Sequence, residues 1–177
     1  MDKKELRAQI RQKKRAMTEQ QIATASAKLG QLFVNTTQYQ NAKTIYGYLP
    51  YNQEVRTVPM LERAIRDGKR VAVPKVYGDD MKFIYMDDLS RVELGYAGIP
   101  EPVDDGPVAD DPTALVLMPG MAFTKNGDRM GYGGGFYDKF LASEPNHPTV
   151  ALCYEFQMVE SLPTEQYDIP VDCVLWA

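Results

Sequence analysis

The sequence predicts a three-layer α/β/α, Rossmann-like fold with a mostly parallel central sheet, and three observations support that prediction. The 177 residues are 44% hydrophobic and 25% charged, which is the composition of a globular protein with one sizeable core. Short apolar segments rich in β-branched residues alternate with amphipathic segments of helical period. This alternation indicates crossover helices, which cover both faces of a parallel sheet. We expect residues 1–177 to form a single domain.

The first part of the chain predicts two helices before any strand. Residues 2–16 form a basic amphipathic segment whose apolar side chains have helical spacing. Thr18, followed three residues later by Gln21, matches a capping box and predicts a second helix that runs to about Val34. The β-rich run 43–49, stopped by a proline, is the predicted first strand.

The remaining elements continue the alternation of strand and helix. Residues 58–65 have helical periodicity and precede a compact apolar strand over 70–74, which completes a β-α-β pattern. A glycine-rich segment leads into a helix that begins near Phe136. Further strands are predicted over residues 81–86, 114–118, 149–154 and 172–176, and the connection 95–112, rich in proline, glycine and aspartate, is predicted to be a surface or active-site loop.

The predicted topology also indicates where functional residues belong. In open sheets of this kind, ligands lie beyond the carboxyl ends of the strands. The loops that follow Leu49, Val73, Met118 and Tyr154 are therefore the expected positions of the chemistry.

The charge balance argues against nucleic acid as a partner. The chain has 20 Lys and Arg against 24 Asp and Glu, which gives a net charge of −4 at pH 7. Basic side chains cluster only in the first predicted helix, and such a cluster suits a small anionic ligand better than a duplex. We expect no nucleic-acid partner, and we expect a monomer.

Two further features concern the compartment. No apolar run approaches the ~20 residues of a membrane helix, and the first residues lack the apolar region of a secretory signal. Cys153 and Cys173 lack the spacing of a zinc site or a redox pair, which indicates buried free thiols. These features predict a cytoplasmic protein with no membrane partner.

The most informative segment is a glycine-rich loop that precedes the helix near residue 136. Gly131, Gly133, Gly134 and Gly135 have no Cβ atoms, so backbone N–H groups there can approach phosphate oxygens at the positive end of a helix. Arg129 adds a planar, permanently charged donor for the same anion. A tight strand-to-helix turn is the commoner origin of such a loop, and the spacing matches neither a Walker A loop nor a dinucleotide fingerprint.

Asp138 extends this pattern onto the first turn of the helix. A carboxylate there can hold the Mg²⁺ that bridges phosphates bound at the helix start. The alternative is that Asp138 only complements the helix dipole, which is common for an acidic residue at this position.

At this point the sequence resembles the 5-formyltetrahydrofolate cyclo-ligase family, also called 5,10-methenyltetrahydrofolate synthetase. The resemblance extends over nearly the whole chain. Four separated segments carry it, namely residues 3–7, 52–55, 98–102 and 119–141, and the last of these is highly specific.

The resemblance implies an enzyme that uses ATP and Mg²⁺ to close 5-formyltetrahydrofolate to 5,10-methenyltetrahydrofolate. The implied route phosphorylates the formyl oxygen, giving an iminium-phosphate from which phosphate leaves once N10 attacks the formyl carbon. ADP and phosphate are the implied by-products. Such a route requires positioning and charge neutralisation rather than a covalent enzyme nucleophile.

The resemblance also implies which residues bind each ligand. Lys3 and Arg129 are the implied catalytic residues, because both would neutralise the transferring phosphate. The implied nucleotide-binding residues are Lys3, Lys4, Glu5, Leu6, Arg7, Arg129, Met130, Gly131, Tyr132, Gly133, Gly134, Gly135, Phe136 and Tyr137. The implied folate-binding residues are Leu49, Glu54, Tyr132, Gly133, Gly134, Gly135 and Phe136. The implied magnesium ligands are Asp138 and Asp172, and for Asp172 the sequence leaves open a capping role at a strand edge.

The folate assignments have a physical basis of their own. The carboxylate of Glu54 can pair with the 2-amino and ring N–H groups of a pterin, and this two-point contact distinguishes pterins from other heterocycles. Flat rings also stack on aromatic side chains. The candidates for stacking are Tyr48, Tyr51, Phe123 and Phe136.

The sequence departs from the commonest family pattern at a few positions. Phe136 replaces a tyrosine and Met130 replaces a leucine, so no mechanism here can require a hydroxyl at position 136. The glycine run also lacks the lysine that some relatives carry. Phosphate charge must then be met by the metal and by basic residues, namely Lys3, Arg7, Arg129 and, as a further candidate, Lys75.

Two other functions fit an α/β scaffold. One is a different enzyme, such as a sugar-phosphate isomerase or an acyl-CoA-type transferase, and the other is a nonenzymatic nucleotide- or folate-binding regulator. Glu54 together with the segment 119–141 argues against the different enzyme. His147, the one histidine, is far in sequence from every motif and is assigned no catalytic role.

Overall fold

The computed structural model describes residues 1–177, and its elements follow the predicted order with several additions. The helices are α1 (Lys3–Arg15), α2 (Glu19–Val34), α3 (Thr37–Asn41), α4 (Val58–Arg66) and α5 (Phe136–Ser143). The strands are β1 (Thr44–Tyr46), β2 (Arg70–Tyr77), β3 (Asp80–Tyr85), β4 (Val92–Leu94), β5 (Pro100–Pro102), β6 (Leu115–Met118), β7 (Ala122–Phe123), β8 (Arg129–Met130), β9 (Thr149–Cys153) and β10 (Cys173–Trp176). None of the helices has both the length and the apolar character that crossing a membrane requires.

The first two helices begin at capping boxes. At α2, the Thr18 side chain accepts the Gln21 N–H and the Gln21 side chain accepts the Thr18 N–H, as predicted. Helix α1 begins in the same way, because Asp2 accepts the Glu5 N–H at 2.8 Å and Glu5 accepts the Asp2 N–H at 3.3 Å. Both caps satisfy N–H groups that a helix start leaves without partners.

The main sheet has six strands in the order β10-β9-β6-β1-β2-β3. Neighbouring strands from β10 to β2 are parallel, and β3, at the edge, is antiparallel to β2. The β1-α4-β2 unit has the parallel pairing that the sequence predicts. The prediction of a mostly parallel central sheet is confirmed.

Alternate residues of the central strands fill two separate cores. In β6, Leu115 and Leu117 pack on one face of the sheet, Val116 and Met118 pack on the other, and all four are buried. Helices α2, α3 and α4 cover the first face, and α5 covers the second. The period of two along the strand therefore produces the three predicted layers.

Helix α1 belongs to neither helical layer. Its Ile10 is buried against Met121, Ala122 and Met130 in a small third cluster. Ala122 and Met130 are paired in the short antiparallel ladder of β7 and β8, which follows the carboxyl end of β6. The cluster thus holds the basic helix at the edge of the sheet where ligands are expected.

Some strand boundaries differ from the prediction. β1 ends at Tyr46 rather than at residue 49, and β2 continues past Pro74 to Tyr77, so there is no loop directly after Val73. Within β2, only residues 70–72 pair with β1. Pro74 therefore lies outside the parallel β1–β2 ladder and removes no hydrogen bond from it. Elements α3, β7 and β8 are missing from the prediction because two to five residues show no period.

The predicted loop 95–112 contains regular structure. β4 and β5 form an antiparallel pair joined by a short 3₁₀ helix, Tyr96–Gly98, and β5 contacts β2. Ala97, within this turn, has the left-handed φ of 54°. We call residues 92–102 the β4–β5 arm. Its strands of three residues, with a proline at each end of β5, carry no recognisable strand pattern.

A close approach between the sheet and α4 occurs at Gly47, the residue after β1. The Gly47 N–H donates to the Ala72 carbonyl at 2.8 Å. A Cβ atom at Gly47 would lie 2.5 Å from Leu61 Cδ2, and Leu61 is fully buried in α4. This contact fixes the path of the chain into Tyr48 and Leu49.

We expect Gly47→Ala to destabilise the protein by ~1–3 kcal/mol, because the added methyl group overpacks the contact with Leu61. Leu61→Ala should cost ~2–5 kcal/mol by leaving a cavity. In the double variant the new methyl group occupies part of that cavity, so the combined loss should be smaller than the sum of the two. Urea unfolding of the four proteins, followed by circular dichroism, measures these differences.

Gly30→Ala in α2 is the matched control. A Cβ atom there would lie no closer than 3.6 Å to Met60, and alanine is the better helix former. This variant should be neutral or more stable by ~0.5–1 kcal/mol. Strictly additive losses at Gly47 and Leu61 would contradict the tight contact between them.

Candidate active site

A cavity lies at the carboxyl edge of the main sheet, between α1, the loop after β1, the β4–β5 arm and residues 129–138. Its volume is about 440 Å³, within the ~300–1,000 Å³ usual for small-molecule sites. This position agrees with the rule for ligands of parallel sheets. The predicted site residues that line the cavity are Lys3, Arg7, Leu49, Glu54, Arg129, Met130, Gly131, Tyr132, Gly133, Gly134, Gly135, Phe136, Tyr137 and Asp138.

The loop after β1 brings Glu54 into the cavity. Two long-range contacts hold this loop on the protein: the Tyr154 hydroxyl donates to the Gln53 carbonyl at 2.6 Å, and the Arg56 N–H donates to Ser26 Oγ at 2.9 Å. Tyr154 follows the end of β9, so the loop is anchored to a second strand end of the same sheet. The position of Glu54 therefore depends on residues from three parts of the chain.

Each carboxylate oxygen of Glu54 accepts one hydrogen bond from the protein. The Tyr51 N–H donates to Oε1 at 2.7 Å, and the Tyr132 hydroxyl donates to Oε2 at 3.0 Å. Burial raises the pKa of Glu54, and the positive charge of Lys14 together with these two hydrogen bonds opposes that rise. Because a carboxylate has about four acceptor positions, Glu54 can also accept two N–H groups from a ligand in the cavity.

The glycine loop has the backbone geometry that the sequence indicates. Gly133 has a φ of 107° and Gly135 a φ of 71°, both in the region that favours glycine. Gly135 is the N-cap of α5, and no side chain caps this helix start. The N–H groups of the first turn are therefore available to an anion, at the positive end of the helix dipole.

Arg129 is almost completely buried beside this helix start. Its Nη1 donates to the Pro119 carbonyl at 2.9 Å, and its Nη2 lies 3.2 Å from Asp138 Oδ2. Its Nε is buried and has no hydrogen-bond partner. A buried donor without a partner costs ~1–3 kcal/mol, so its presence beside a cavity indicates a functional arrangement rather than a purely structural one.

Helix α1 presents only part of its predicted nucleotide set to the cavity. Lys3 and Arg7 line the cavity, and Arg7 Nε donates to the Gly131 carbonyl at 3.3 Å. Lys4, Glu5 and Leu6 do not line the cavity, and their assignment to the nucleotide stays a prediction. Lys3 and Arg7, four residues apart, share one face of the helix. Lys4 is exposed, Glu5 caps the helix, and Leu6 packs against the cluster around Ile10.

The two predicted metal ligands lie at opposite ends of the parallel strands. Asp138 lines the cavity, whereas Asp172 precedes β10, at the amino ends of the parallel strands. Asp172 Oδ2 accepts the Thr149 N–H at 2.9 Å, and its own N–H donates to Thr149 Oγ1 at 2.8 Å. Asp172 therefore has the strand-edge capping role that the sequence left open, and its assignment as a metal ligand stays an untested prediction.

Asp138 would bind a metal ion with few other protein ligands. No group of three or more His, Cys, Asp or Glu side chains is arranged to hold a metal ion. Mg²⁺ is commonly held by one or two carboxylates together with phosphate oxygens and water. A single carboxylate beside an open helix start fits that mode of binding.

Other predicted residues divide between the cavity and the core. Tyr48, Tyr51 and Phe136 line the cavity, but Phe123 is fully buried in the core and does not. The structure also removes Lys75 from the phosphate-binding candidates. Its Nζ donates to the Val103 carbonyl and lies 3.2 Å from Asp105 Oδ1, so it fastens the residues after the arm to β2.

His147 lies outside the cavity, in agreement with its lack of an assigned role. It is buried, with Nδ1 2.7 Å from the Ala114 carbonyl oxygen and Nε2 3.0 Å from Glu144 Oε1. Ala114 precedes β6, so His147 stands near the amino ends of the strands. Its contacts are those of a structural residue.

The structure adds residues that the sequence reasoning missed. Tyr96, Ile99 and Glu101 of the β4–β5 arm form one wall of the cavity, and Asp168 also lines it. The Tyr96 ring meets the Phe136 ring edge-to-face, with centroids 5.3 Å apart. The segment 98–102, which carries part of the family resemblance, was the one signal that could have identified this wall.

Comparison with known proteins agrees with this geometry. The model of the 5-formyltetrahydrofolate cyclo-ligase family matches residues 1–177. A 5-formyltetrahydrofolate cyclo-ligase of Escherichia coli (strain K12) is 30% identical over 175 residues, which cover 94% of this chain and 95% of that protein. A 5-formyltetrahydrofolate cyclo-ligase of Mus musculus is 28% identical over 189 residues, which cover 98% of this chain and 93% of that protein.

Two solved structures have the same fold. The NMR structure of Aquifex aeolicus 5,10-methenyltetrahydrofolate synthetase has a TM-score of 0.85 and 29% sequence identity, covering 99% of this chain and 90% of that chain. A 5,10-methenyltetrahydrofolate synthetase from Mycoplasma pneumoniae has a TM-score of 0.78 and 27% identity, with 98% of each chain covered. The fold and the resemblance that the sequence predicts are both confirmed, and the chain belongs to the 5-formyltetrahydrofolate cyclo-ligase family of enzymes.

Proposed function

We propose that this enzyme uses ATP to convert 5-formyltetrahydrofolate to 5,10-methenyltetrahydrofolate, with release of ADP and phosphate. Family membership supports the folate reaction. The observation that supports ATP as second substrate is one cavity that joins a carboxylate, Glu54, to a glycine loop lined by Arg129, Lys3 and Arg7. Such a cavity can hold a heterocycle at one end and phosphates at the other.

Glu54 is the proposed contact of the pterin ring. Its two oxygens are each oriented by one protein hydrogen bond, so their free acceptor positions can receive the 2-amino and ring N–H groups together. Tyr51 and Phe136, also in the lining, provide aromatic surface for the flat rings. Leu49 adds an apolar contact at the same strand end.

The glycine loop is the proposed phosphate site. The uncapped start of α5 lines the cavity, and Arg129, Lys3 and Arg7 supply three positive charges around it. Preoriented donors of this kind stabilise the charge that spreads over phosphate oxygens during transfer. Lys3 and Arg129 are therefore the proposed catalytic residues.

The proposed reaction has two steps. The formyl oxygen attacks the γ-phosphorus of ATP, the bond from that phosphorus to the bridging oxygen breaks, and ADP leaves. The N10 nitrogen then attacks the formyl carbon, the carbon–oxygen bond breaks, phosphate leaves, and the N10 proton passes to solvent. The protein contributes orientation of N10 and the γ-phosphate, and no covalent enzyme intermediate is needed.

Asp138 is the proposed ligand of Mg²⁺. When bound, the ion would neutralise negative charge on the nucleotide phosphates. Asp138 is ion-paired with Arg129 at 3.2 Å, and this pair holds both side chains at the helix start. The carboxylate oxygen that does not face Arg129 remains available, since Asp138 is partly exposed and lines the cavity.

We further propose that the enzyme acts in the cytoplasm. Cys153 is buried and both cysteines are free thiols. Burial raises the pKa of the Cys153 thiol to about 12, which keeps it protonated and unreactive. Free thiols of this kind are usual in a reducing compartment.

The proposed activity is tested by incubating the purified protein with 5-formyltetrahydrofolate, ATP and Mg²⁺ and following the absorbance of the methenyl product. Product that forms only when ATP is present, with one phosphate released per folate, is the expected result. Binding of both ATP and 5-formyltetrahydrofolate without product would indicate a nonenzymatic regulator instead. Product formed equally well without ATP would contradict the phosphorylation step.

Glu54→Gln should raise the KM for 5-formyltetrahydrofolate about five- to 150-fold and leave the KM for ATP nearly unchanged. A neutral amide presents an N–H donor to the pterin N–H groups, a buried mismatch that costs ~1–3 kcal/mol. Steady-state kinetics with each substrate varied in turn measures the two constants. Glu62→Gln is the control, because Glu62 is exposed on α4 and forms no ion pair. An unchanged folate KM would assign Glu54 a structural role.

Asp138→Asn separates the two interpretations of this residue. If Asp138 only complements the helix dipole, the variant should lose ~0.3–1 kcal/mol of stability and keep its turnover. If it holds Mg²⁺, turnover should fall and half-saturation should require at least tenfold more Mg²⁺, since a hard dication prefers an anionic oxygen. We expect the second result.

The measurement for Asp138 is turnover against Mg²⁺ concentration, together with thermal melts of the ligand-free proteins. The melts report the loss of the Arg129 ion pair separately from the loss of metal binding. Asp87→Asn, an exposed aspartate, is the surface control. Superimposable Mg²⁺ curves for the wild type and Asp138→Asn would remove Asp138 from the metal site.

A further inference from the structure

Lys14 is a buried lysine whose side chain makes one hydrogen bond, to a tyrosine hydroxyl. It lies in α1, is 7% exposed, and its Nζ donates to the Tyr132 hydroxyl at 3.2 Å. No carboxylate lies within ion-pair distance of it. A buried ammonium group is costly unless its charge is compensated nearby, so this position calls for a partner beyond the tyrosine.

That partner is Glu54, on the far side of the Tyr132 hydroxyl. Tyr132 accepts from Lys14 and donates to Glu54 Oε2 at 3.0 Å, so its one hydrogen and an acceptor lone pair are both used. The three groups form a chain from cation to hydroxyl to carboxylate. In a chain of this kind each hydrogen bond polarises the next.

The charges of Lys14 and Glu54 support each other. Burial lowers the pKa of Lys14 and raises the pKa of Glu54, and in both cases the opposite charge of the other residue counteracts that effect. Arg11 also faces Lys14, and Arg56 also faces Glu54. The positive charge of Lys14 therefore favours the carboxylate form of Glu54, against the burial that disfavours it.

Tyr132 needs this anchoring because of its place in the chain. It stands between Gly131 and Gly133, and its side chain is 45% exposed. Its hydroxyl makes hydrogen bonds to Lys14 and Glu54 and to no other residue. Without Lys14, only the carboxylate itself would hold the hydroxyl that orients it.

We propose that Lys14 is a positioning residue for substrate binding, which acts through the Tyr132 hydroxyl to hold Glu54 correctly oriented toward the pterin ring. Residues 3, 7, 10 and 14 lie on one face of α1, so the helix that carries Lys3 and Arg7 to the phosphate end of the cavity carries Lys14 to the folate end. The inference rests on the proposed function of Glu54.

The test compares Lys14→Met, which keeps an unbranched side chain but removes the charge, with Lys14→Arg, which keeps the charge. Lys14→Met should raise the KM for 5-formyltetrahydrofolate about tenfold, the effect of losing one hydrogen bond to a charged group, and leave the KM for ATP unchanged. Lys14→Arg should recover most of the loss. Lys28→Met, at an exposed position of α2, should match the wild type.

Tyr132→Phe tests the same link without touching α1. It should raise the folate KM by a similar factor, and the double variant Lys14→Met with Tyr132→Phe should be no worse than the larger single change. Multiplicative effects would show that the two residues act independently and would overturn the inference. So would an unchanged folate KM in folded Lys14→Met, or equal increases for folate and ATP, which would indicate that Lys14 only docks the helix.

Failure of the proposed function can be distinguished from failure of the inference about Lys14. If the wild type forms no methenyl product, the proposed function fails, and the inference is then judged from calorimetric binding of 5-formyltetrahydrofolate to wild type and Lys14→Met. Binding that weakens about tenfold in Lys14→Met supports it. Equal binding, or no binding to either protein, overturns it. If Lys14→Met does not fold, the inference is judged from calorimetric binding of 5-formyltetrahydrofolate to Tyr132→Phe.

Discussion

The active site depends on one constraint, which is that the central strands are buried on both faces. Every residue of β6 and of β9 is buried, so a charged side chain within these strands would lose water without gaining a partner. Thr149, buried at the start of β9, satisfies this requirement because its hydroxyl accepts the Asp172 N–H and its own N–H donates to Asp172 Oδ2. Functional side chains must therefore follow the strand ends, and the loops after β1 and β6 supply them.

The cavity that results has two chemically different ends. At one end, Glu54 offers two oriented oxygens beside aromatic and apolar side chains. At the other end, an uncapped helix start adjoins the buried guanidinium of Arg129, whose Nε has no partner. A donor-rich heterocycle and a phosphate chain have complementary requirements, so one continuous cavity can bind both and place them in contact.

Helix α1 connects the two ends. Its Arg7 donates to the Gly131 carbonyl, its Lys14 donates to the Tyr132 hydroxyl, and its Ile10 lies between them in an apolar cluster. The apolar contact holds the helix in place, and the basic residues on either side of it reach different parts of the glycine loop. Because Tyr132 also contacts Glu54, the loop joins the two ends of the cavity through direct hydrogen bonds.

Features with a local period or a local cap could be predicted from the sequence. These include helices α1, α2, α4 and α5, the capping box at Thr18, the parallel β1-α4-β2 unit and the start of α5 after its glycine loop. They are predictable because a helix cap or an alternating strand involves residues only a few positions apart. Arg129 and Asp138 were predicted as site residues from the glycine loop and the helix start beside it, and Glu54 from the family resemblance.

The tertiary structure alone decided which of several similar residues face the cavity. In a run of basic residues it buried Lys14 and left Lys4 exposed, it placed Asp172 at the opposite end of the parallel strands, and it folded a proline-rich connection into the arm beside Tyr96. None of these outcomes follows from spacing along the chain. Burial depends on contacts between residues far apart in sequence, such as Lys14 with Tyr132, and those contacts exist only once the layers have packed.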